Sequence, residues 1–210
     1  MRKISITEAL NELKLYDSKI EKAIDNATFC GATKKSSDKV GVVKRENFNE
    51  RAKASYQSAT DLIANRNVLK SAIVKSNAVT NVIVNEKTMT VAEAIERKNS
   101  IEYDEELLSQ MKIQYASATA TVEKENKKVD TKVDELIMTL VGKDSDKKLS
   151  KDDQEAVERP YRDKNEFEFI DPLGLYDKIQ VLEADIEGFK SNVDTVLCLS
   201  NATTFIEIDF

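Results

Sequence analysis

The sequence contains no histidine and no tryptophan, and only two cysteines, two prolines and five glycines among 210 residues. Without histidine there is no Ser-His-Asp or Cys-His catalysis, no imidazole metal ligand and no ordinary proton switch near neutral pH. Cys30 and Cys198 lie far apart and form no Cys-x-x-Cys pair, so they read as free thiols in a reducing compartment. Few glycines and prolines mean few sharp turns, and aromatic residues at 6% leave little material for a thick globular core. No apolar run nears the roughly 20 residues that span a bilayer. The opening Met1-Arg2-Lys3-Ile4-Ser5 enters a helix directly and lacks the apolar core of an export signal. The expected location is the cytoplasm, or a virion assembled there.

What the chain does have is charge. Asp, Glu, Lys and Arg make up 33% of it, with a net charge of −6. Basic and acidic residues alternate, and the basic clusters Lys34-Lys35 and Lys127-Lys128 are short, so they read as solvated faces. A duplex-DNA binder concentrates positive charge instead. Neither nucleic acid nor membrane is expected as a partner.

Helical periodicity is the dominant signal. Ser5 with Glu8 forms a capping box, and Ile6, Leu10, Leu13, Ile20, Ala23 and Ile24 follow as one stripe, predicting a first helix over 1–26. The periodicity lapses over 27–46, a loop with a short strand near Val40 to Val43. A second helix over 47–76 carries Phe48, Ala52, Tyr56, Ala59, Ile63, Leu69 and Ile73. Residues 77–90 read as a β-hairpin, with Val82-Ile83-Val84 and Thr88-Met89 around a polar turn. Thr90 with Glu93 repeats the capping box and opens a third helix over 91–141, roughly 75 Å long at ~1.5 Å per residue.

In that helix Ala94, Ile101, Leu108, Tyr115, Val122, Val129 and Leu136 fall seven apart. A seam so narrow and long belongs to a coiled coil and requires partner helices. Residues 142–170 read as a charged, irregular insert in which Pro160 prevents a continuous helix, with Phe167, Phe169 and Ile170 as a short strand or anchor. A fourth helix over 171–199 starts with Asp171 as cap and Pro172 at the first helical position. Its stripe is Leu175, Ile179, Leu182, Ile186, Phe189, Val193 and Val196. A C-terminal strand over 200–210 closes the chain.

Helices two and four end in similar words. Ser76-Asn77-Ala78-Val79-Thr80 precedes Val82 and Val84, and Ser200-Asn201-Ala202-Thr203-Thr204 precedes Ile206 and Ile208. These are read as repeated helix stops, with asparagine suited to a left-handed terminal residue. If both copies act alike, the two helices end at one pole. Their strands then join the hairpin in a small sheet, to which Arg2-Lys3-Ile4 adds an edge. The expected fold is mainly α: a single-domain antiparallel four-helix bundle or coiled coil, with one very long helix and a small β-sheet at one pole.

The motifs that come nearest to a reactive or binding site each lack a residue their chemistry needs. Asp144, Asp146, Ser150, Asp152 and Glu155 follow calcium-loop spacing, but Lys148 and Leu149 stand where an oxygen ligand and a glycine are needed. Gly41-Val42-Val43-Lys44 lacks the second glycine and the ending of a phosphate loop. Glu105 and Glu106 are adjacent and point to different faces. Cys30 has no candidate base. The chain therefore reads as non-enzymatic, with no catalytic residues, cofactor or metal.

At its middle and end the chain resembles the small bacterial septicolysin-like family, whose members look helical, with an Asn-x-x-Thr turn between helices and an Asn-x-Thr-Thr ending. The matching words are Ile73 through Asn77 to Thr80, Val91 to Ile101 with Arg97, Asn201-Ala202-Thr203-Thr204, and the early Glu8-Ala9-Leu10. The likeness covers about half the chain and departs over Glu123 to Ile170. It implies a cytosolic oligomeric binding protein, and the family name implies a membrane-active, pore-forming toxin. The composition is also similar to that of accessory structural proteins from phages of Gram-positive hosts.

The leading expectation is a structural subunit of a virion (a phage tail, neck or capsid accessory). Its partners would be further copies of itself or other virion proteins. The expected contacts are Ile101, Leu108, Tyr115, Val122, Val129 and Leu136 of the seam, and Phe205, Ile206 and Ile208 of the terminal strand, which would pair with a neighbour.

Overall fold

The computed structural model describes residues 2–141 and 150–209. They form five helices and three separate two-stranded antiparallel sheets, so the protein is mainly helical. The chain divides into two compact units. One comprises Met1–Ser100 with Gly188–Phe210, the other Ile101–Glu187.

In the first unit, β1 (Arg2–Ser5) leads into α1 (Ile6–Asp25) through the expected capping box. The Glu8 backbone N–H donates to the Ser5 hydroxyl at 3.2 Å, and the Ser5 N–H donates to the Glu8 carboxylate at 2.8 Å. Together they satisfy helix-end donors that would otherwise face only water. α1 stops at Asn26, whose side-chain amide donates to the Lys22 carbonyl at 2.8 Å. Two short strands, β2 (Lys39–Val40) and β3 (Val43–Lys44), flank Gly41 at φ +59 and precede α2 (Arg45–Val79).

Next, β4 (Asn81–Val84) pairs with β5 (Lys87–Thr90) across the two-residue turn Asn85-Glu86, with φ values of 50 and 64. Positive φ at both central residues matches the twist of the flanking strands. α3 (Val91–Val141) follows, again with a reciprocal cap between Thr90 and Glu93. The chain returns to this unit in the last part of α5 (Leu175–Thr203) and ends in β6 (Phe205–Ile208), which pairs with β1. Alternation along β6 sends Ile206 and Ile208 inward. They join Ile4, Ile6, Ala9, Leu13, Leu69 and Ile73 in one apolar core beneath the β1–β6 ribbon.

The strands make three ribbons rather than one sheet, because each finds a single partner. The repeated words are not left-handed stops: Asn77 and Asn201 are helical, and the helices run on to Val79 and Thr203. The stop is the threonine that follows. The Thr80 N–H donates to the Ser76 carbonyl and the Thr204 N–H to the Ser200 carbonyl, each at 2.9 Å, and the backbone then turns extended.

In the second unit, the part of the expected irregular insert that is described contains a further helix, α4 (Lys151–Asn165), with Pro160 inside it. Residues 142–149 of that insert lie outside the described residues. Proline removes one backbone donor. Other features offset this: Ser150 caps the N-terminus, Asp152 and Asp153 sit in the first turn, and Arg162 and Lys164 sit in the last, each with the sign that suits the helix dipole. Arg162 also pairs with Glu158 at 2.5 Å and with Asp130 of α3 at 2.7 Å. α5 starts one turn later than Asp171-Pro172 suggested. The Asp171 carboxylate instead accepts from the N–H groups of Leu173 (3.1 Å) and Leu175 (2.7 Å), folding a turn that Gly174 completes at φ +62.

Candidate interaction surface

The seven-residue seam of α3 lies on the shielded side of the second unit. Ile101 and Val129 are buried, and Leu108, Tyr115, Val122 and Leu136 are half-buried. Their cover comes in part from the same unit. The Phe169 ring meets Tyr115 edge-on with centroids 5.4 Å apart, and Tyr176 approaches the same ring at 6.1 Å. Asn126 clamps the connector after α4: its Nδ2 donates to the Phe167 carbonyl at 3.0 Å, and its Oδ1 accepts from the Phe167 N–H at 2.7 Å. Lys112 pairs with Glu183.

The terminal-strand residues are placed differently from one another. Ile206 and Ile208 are core residues, and β6 pairs with β1 of the same chain. Phe205 is exposed on the other face of the strand, with the Lys3 ammonium 5.4 Å from its ring centroid.

The exposed apolar groups of the second unit are elsewhere. Phe167, Ile170, Leu173 and Tyr176 fall three residues apart along the connector into α5, with relative exposures of 48%, 74%, 62% and 57%. Tyr103 and Leu107 add an exposed pair one helical turn apart on α3. Read from the sequence, Phe167 and Ile170 belong to a short strand or anchor and a helix starts at Asp171-Pro172, so these four residues are not joined into one exposed series. The signal that was available is the density of large apolar residues in a segment without a regular element.

Elsewhere the described residues offer less chemistry. Among them no group of three or more Cys, Asp or Glu residues is placed to hold a metal ion. Of the calcium-like spacing, 144–149 lies outside the described residues, Ser150 is occupied as the cap of α4, and Asp152 and Glu155 are exposed on that helix. Cys30 and Cys198 are exposed free thiols. A pocket of about 550 Å³ opens between the 27–44 loop and α2, lined by Asn26, Thr28, Val40, Phe48, Arg51 and Ala54 among others. It is mostly apolar, with Arg51 as its charged side chain.

Glu8 and Glu93 are both held below their ordinary value, chiefly by the backbone N–H of Ser5 or Thr90 and then by that residue's hydroxyl. The Tyr16 phenol is pushed up by burial and then by the nearby Glu12 carboxylate. No described helix is long and apolar enough to cross a membrane. No protein-family model, curated protein or solved structure matches this chain.

Proposed function

We propose that this protein is a non-enzymatic structural subunit that assembles with further copies of itself through apolar side chains outside its own core. The observation that carries this reading is the exposed series Phe167, Ile170 and Leu173 on the connector, continued by Tyr176 in the first turn of α5. Large apolar groups clustered in water are unfavourable by themselves and mark contact surfaces. The connector is also held in place by the Asn126 clamp and the Asp171 turn, so its side chains are presented on a fixed backbone. A preorganised patch loses less entropy when it is covered.

In its concrete form the proposal is a virion component of the phage tail, neck or capsid-accessory type. The antiparallel four-helix, coiled-coil arrangement expected from the helical seams belongs to this proposal, as does the absence of nucleic-acid and membrane partners. The septicolysin-like words favour a second reading, a small closed cytosolic oligomer acting as a binding module.

The test is the mass of the 23.6 kDa chain by light scattering over a concentration series, for wild type and for Ile170→Glu with Leu173→Glu. Assembly that grows with concentration and weakens at least about tenfold in the variant supports the structural subunit, since each buried aliphatic side chain contributes roughly 1.5–3 kcal/mol. A fixed small oligomer supports the second reading. A wild-type monomer at every concentration overturns both, and leakage of dye-loaded liposomes would point to a membrane-active protein instead.

A further inference from the structure

The two strand–helix junctions of the first unit are the same structure built twice. Lys3-Ile4-Ser5-Ile6-Thr7-Glu8-Ala9-Leu10 corresponds to Thr88-Met89-Thr90-Val91-Ala92-Glu93-Ala94-Ile95. Each run is a strand, a reciprocal cap and a first helical turn with a fully buried alanine, Ala9 in one and Ala94 in the other. The partner strands correspond as well. Thr80 ends α2 and its carbonyl accepts from the Val91 N–H at 2.8 Å. Thr204 ends α5 and its carbonyl accepts from the Ile6 N–H at 2.9 Å.

The registers match position by position. Asn81 faces Thr90 as Phe205 faces Ser5, Val82 faces Met89 as Ile206 faces Ile4, and Val84 faces Lys87 as Ile208 faces Arg2. The chain thus divides into two halves, 2–84 with α1 and α2 and 87–208 with α3, α4 and α5, each opening and closing on a strand, and the pairing is crossed: the first strand of each half pairs with the last strand of the other.

Only Asn85 and Glu86 join the halves, and both hold positive φ. Asparagine tolerates that region, but glutamate is strained in it, where glycine is the usual second residue of such a turn. A short hinge under strain, between halves that meet through paired strands, is the arrangement that favours exchange between chains.

We infer that a second copy of this chain is a partner of stated geometry: opening of the Asn85-Glu86 turn lets half 2–84 of one chain pair with half 87–208 of another. In the exchanged dimer β1 pairs with the partner's β6 and β4 with the partner's β5. Every ribbon is kept, and the strained turn becomes an extended link. This inference is independent of the exposed connector and does not rest on the assembly reading above.

The experiment removes residues 85 and 86 from the full chain. Strands joined without a loop cannot form a hairpin, so the variant should run at twice 23.6 kDa by light scattering, with the helical circular dichroism of the wild type. A folded monomer overturns the inference. If the deletion variant does not fold, wild-type chains carrying two different tags are unfolded, mixed and refolded together at high concentration. Co-capture of both tags in a dimer that falls at least fivefold in Glu86→Gly, whose Asn-Gly turn suits closure, supports exchange. Refolding to single-tag monomers, or a tag mixture indifferent to Glu86→Gly, overturns it. Failure of the connector variants to weaken assembly would leave this result unaffected.

Discussion

Gly188 lies within α5, where alanine is ordinarily preferred to glycine by about 1 kcal/mol. On propensity alone Gly188→Ala would stabilise the protein. The structure indicates the opposite sign. A Cβ at this position would sit 2.5 Å from Cγ, Nδ2 and Oδ1 of Asn85. Asn85 is fixed at φ 50 by the β4–β5 turn, and its side chain has only two torsions with which to withdraw. Forced overpacking typically costs about 1–3 kcal/mol. The net expectation is a loss of about 1 kcal/mol, or a fall in Tm of about 2–4 °C for a chain of this size.

The cleaner measurement is a double-mutant cycle. Asn85→Gly keeps a residue suited to positive φ and removes the obstacle, so Gly188→Ala made in that background should gain about 1 kcal/mol. The coupling between the two sites is then about 2 kcal/mol, well beyond the ~0.5 kcal/mol of independent positions. Urea unfolding followed at 222 nm in dilute protein reads all four variants. If Gly188→Ala stabilises the wild-type background, or shifts stability equally in both backgrounds, the steric argument is wrong.

Two other outcomes follow from the caps and the clamp. Glu8 and Glu93 are lowered in the folded state from an ordinary value of 4.5. A carboxyl lowered on folding contributes stability above its unfolded value and loses it as pH falls through the folded one. Stability should therefore decline below about pH 4.5, and Glu8→Gln with Glu93→Gln should flatten that decline in denaturant titrations between about pH 5 and 3. Asn126→Ala removes both hydrogen bonds to the Phe167 backbone, at a cost of about 1–3 kcal/mol. Amide hydrogen exchange should rise around Phe167 while the Ser5 and Thr90 caps stay protected; unchanged exchange at Phe167 would refute the clamp.

What the sequence made legible was local. Ser5 with Glu8 and Thr90 with Glu93 are three residues apart, and the chemistry that joins them needs no tertiary partner. The hairpin around Asn85-Glu86 was legible for the same reason. α4 was not, because proline inside a helix is read as a break, and the pairs that hold Arg162 include Asp130, which is 32 positions away in sequence (162 − 130). The β1–β6 pairing joins opposite ends of the chain, and no spacing rule specifies it. The candidate surface shows the same division. Seven-residue spacing identified which residues of α3 share a face. It did not show that Phe169 and Tyr176 of the same unit approach that face at Tyr115, or that Phe167, Ile170 and Leu173 would stand exposed on the connector.

The pairing of Arg2 with Ile208 brings the two extremities of the described chain side by side, within about 5 Å between opposed Cα atoms. Chain order is then a convention of the gene rather than a requirement of the fold. A reordered gene that opens at residue 87 and links 208 to 2 by a two-residue Asn-Gly turn would encode the same ribbons with new ends. Fluorophores attached at Arg2 and Ile208 would act as a molecular ruler on the β1–β6 ribbon. They would transfer energy efficiently while it is closed, and lose that transfer on unfolding.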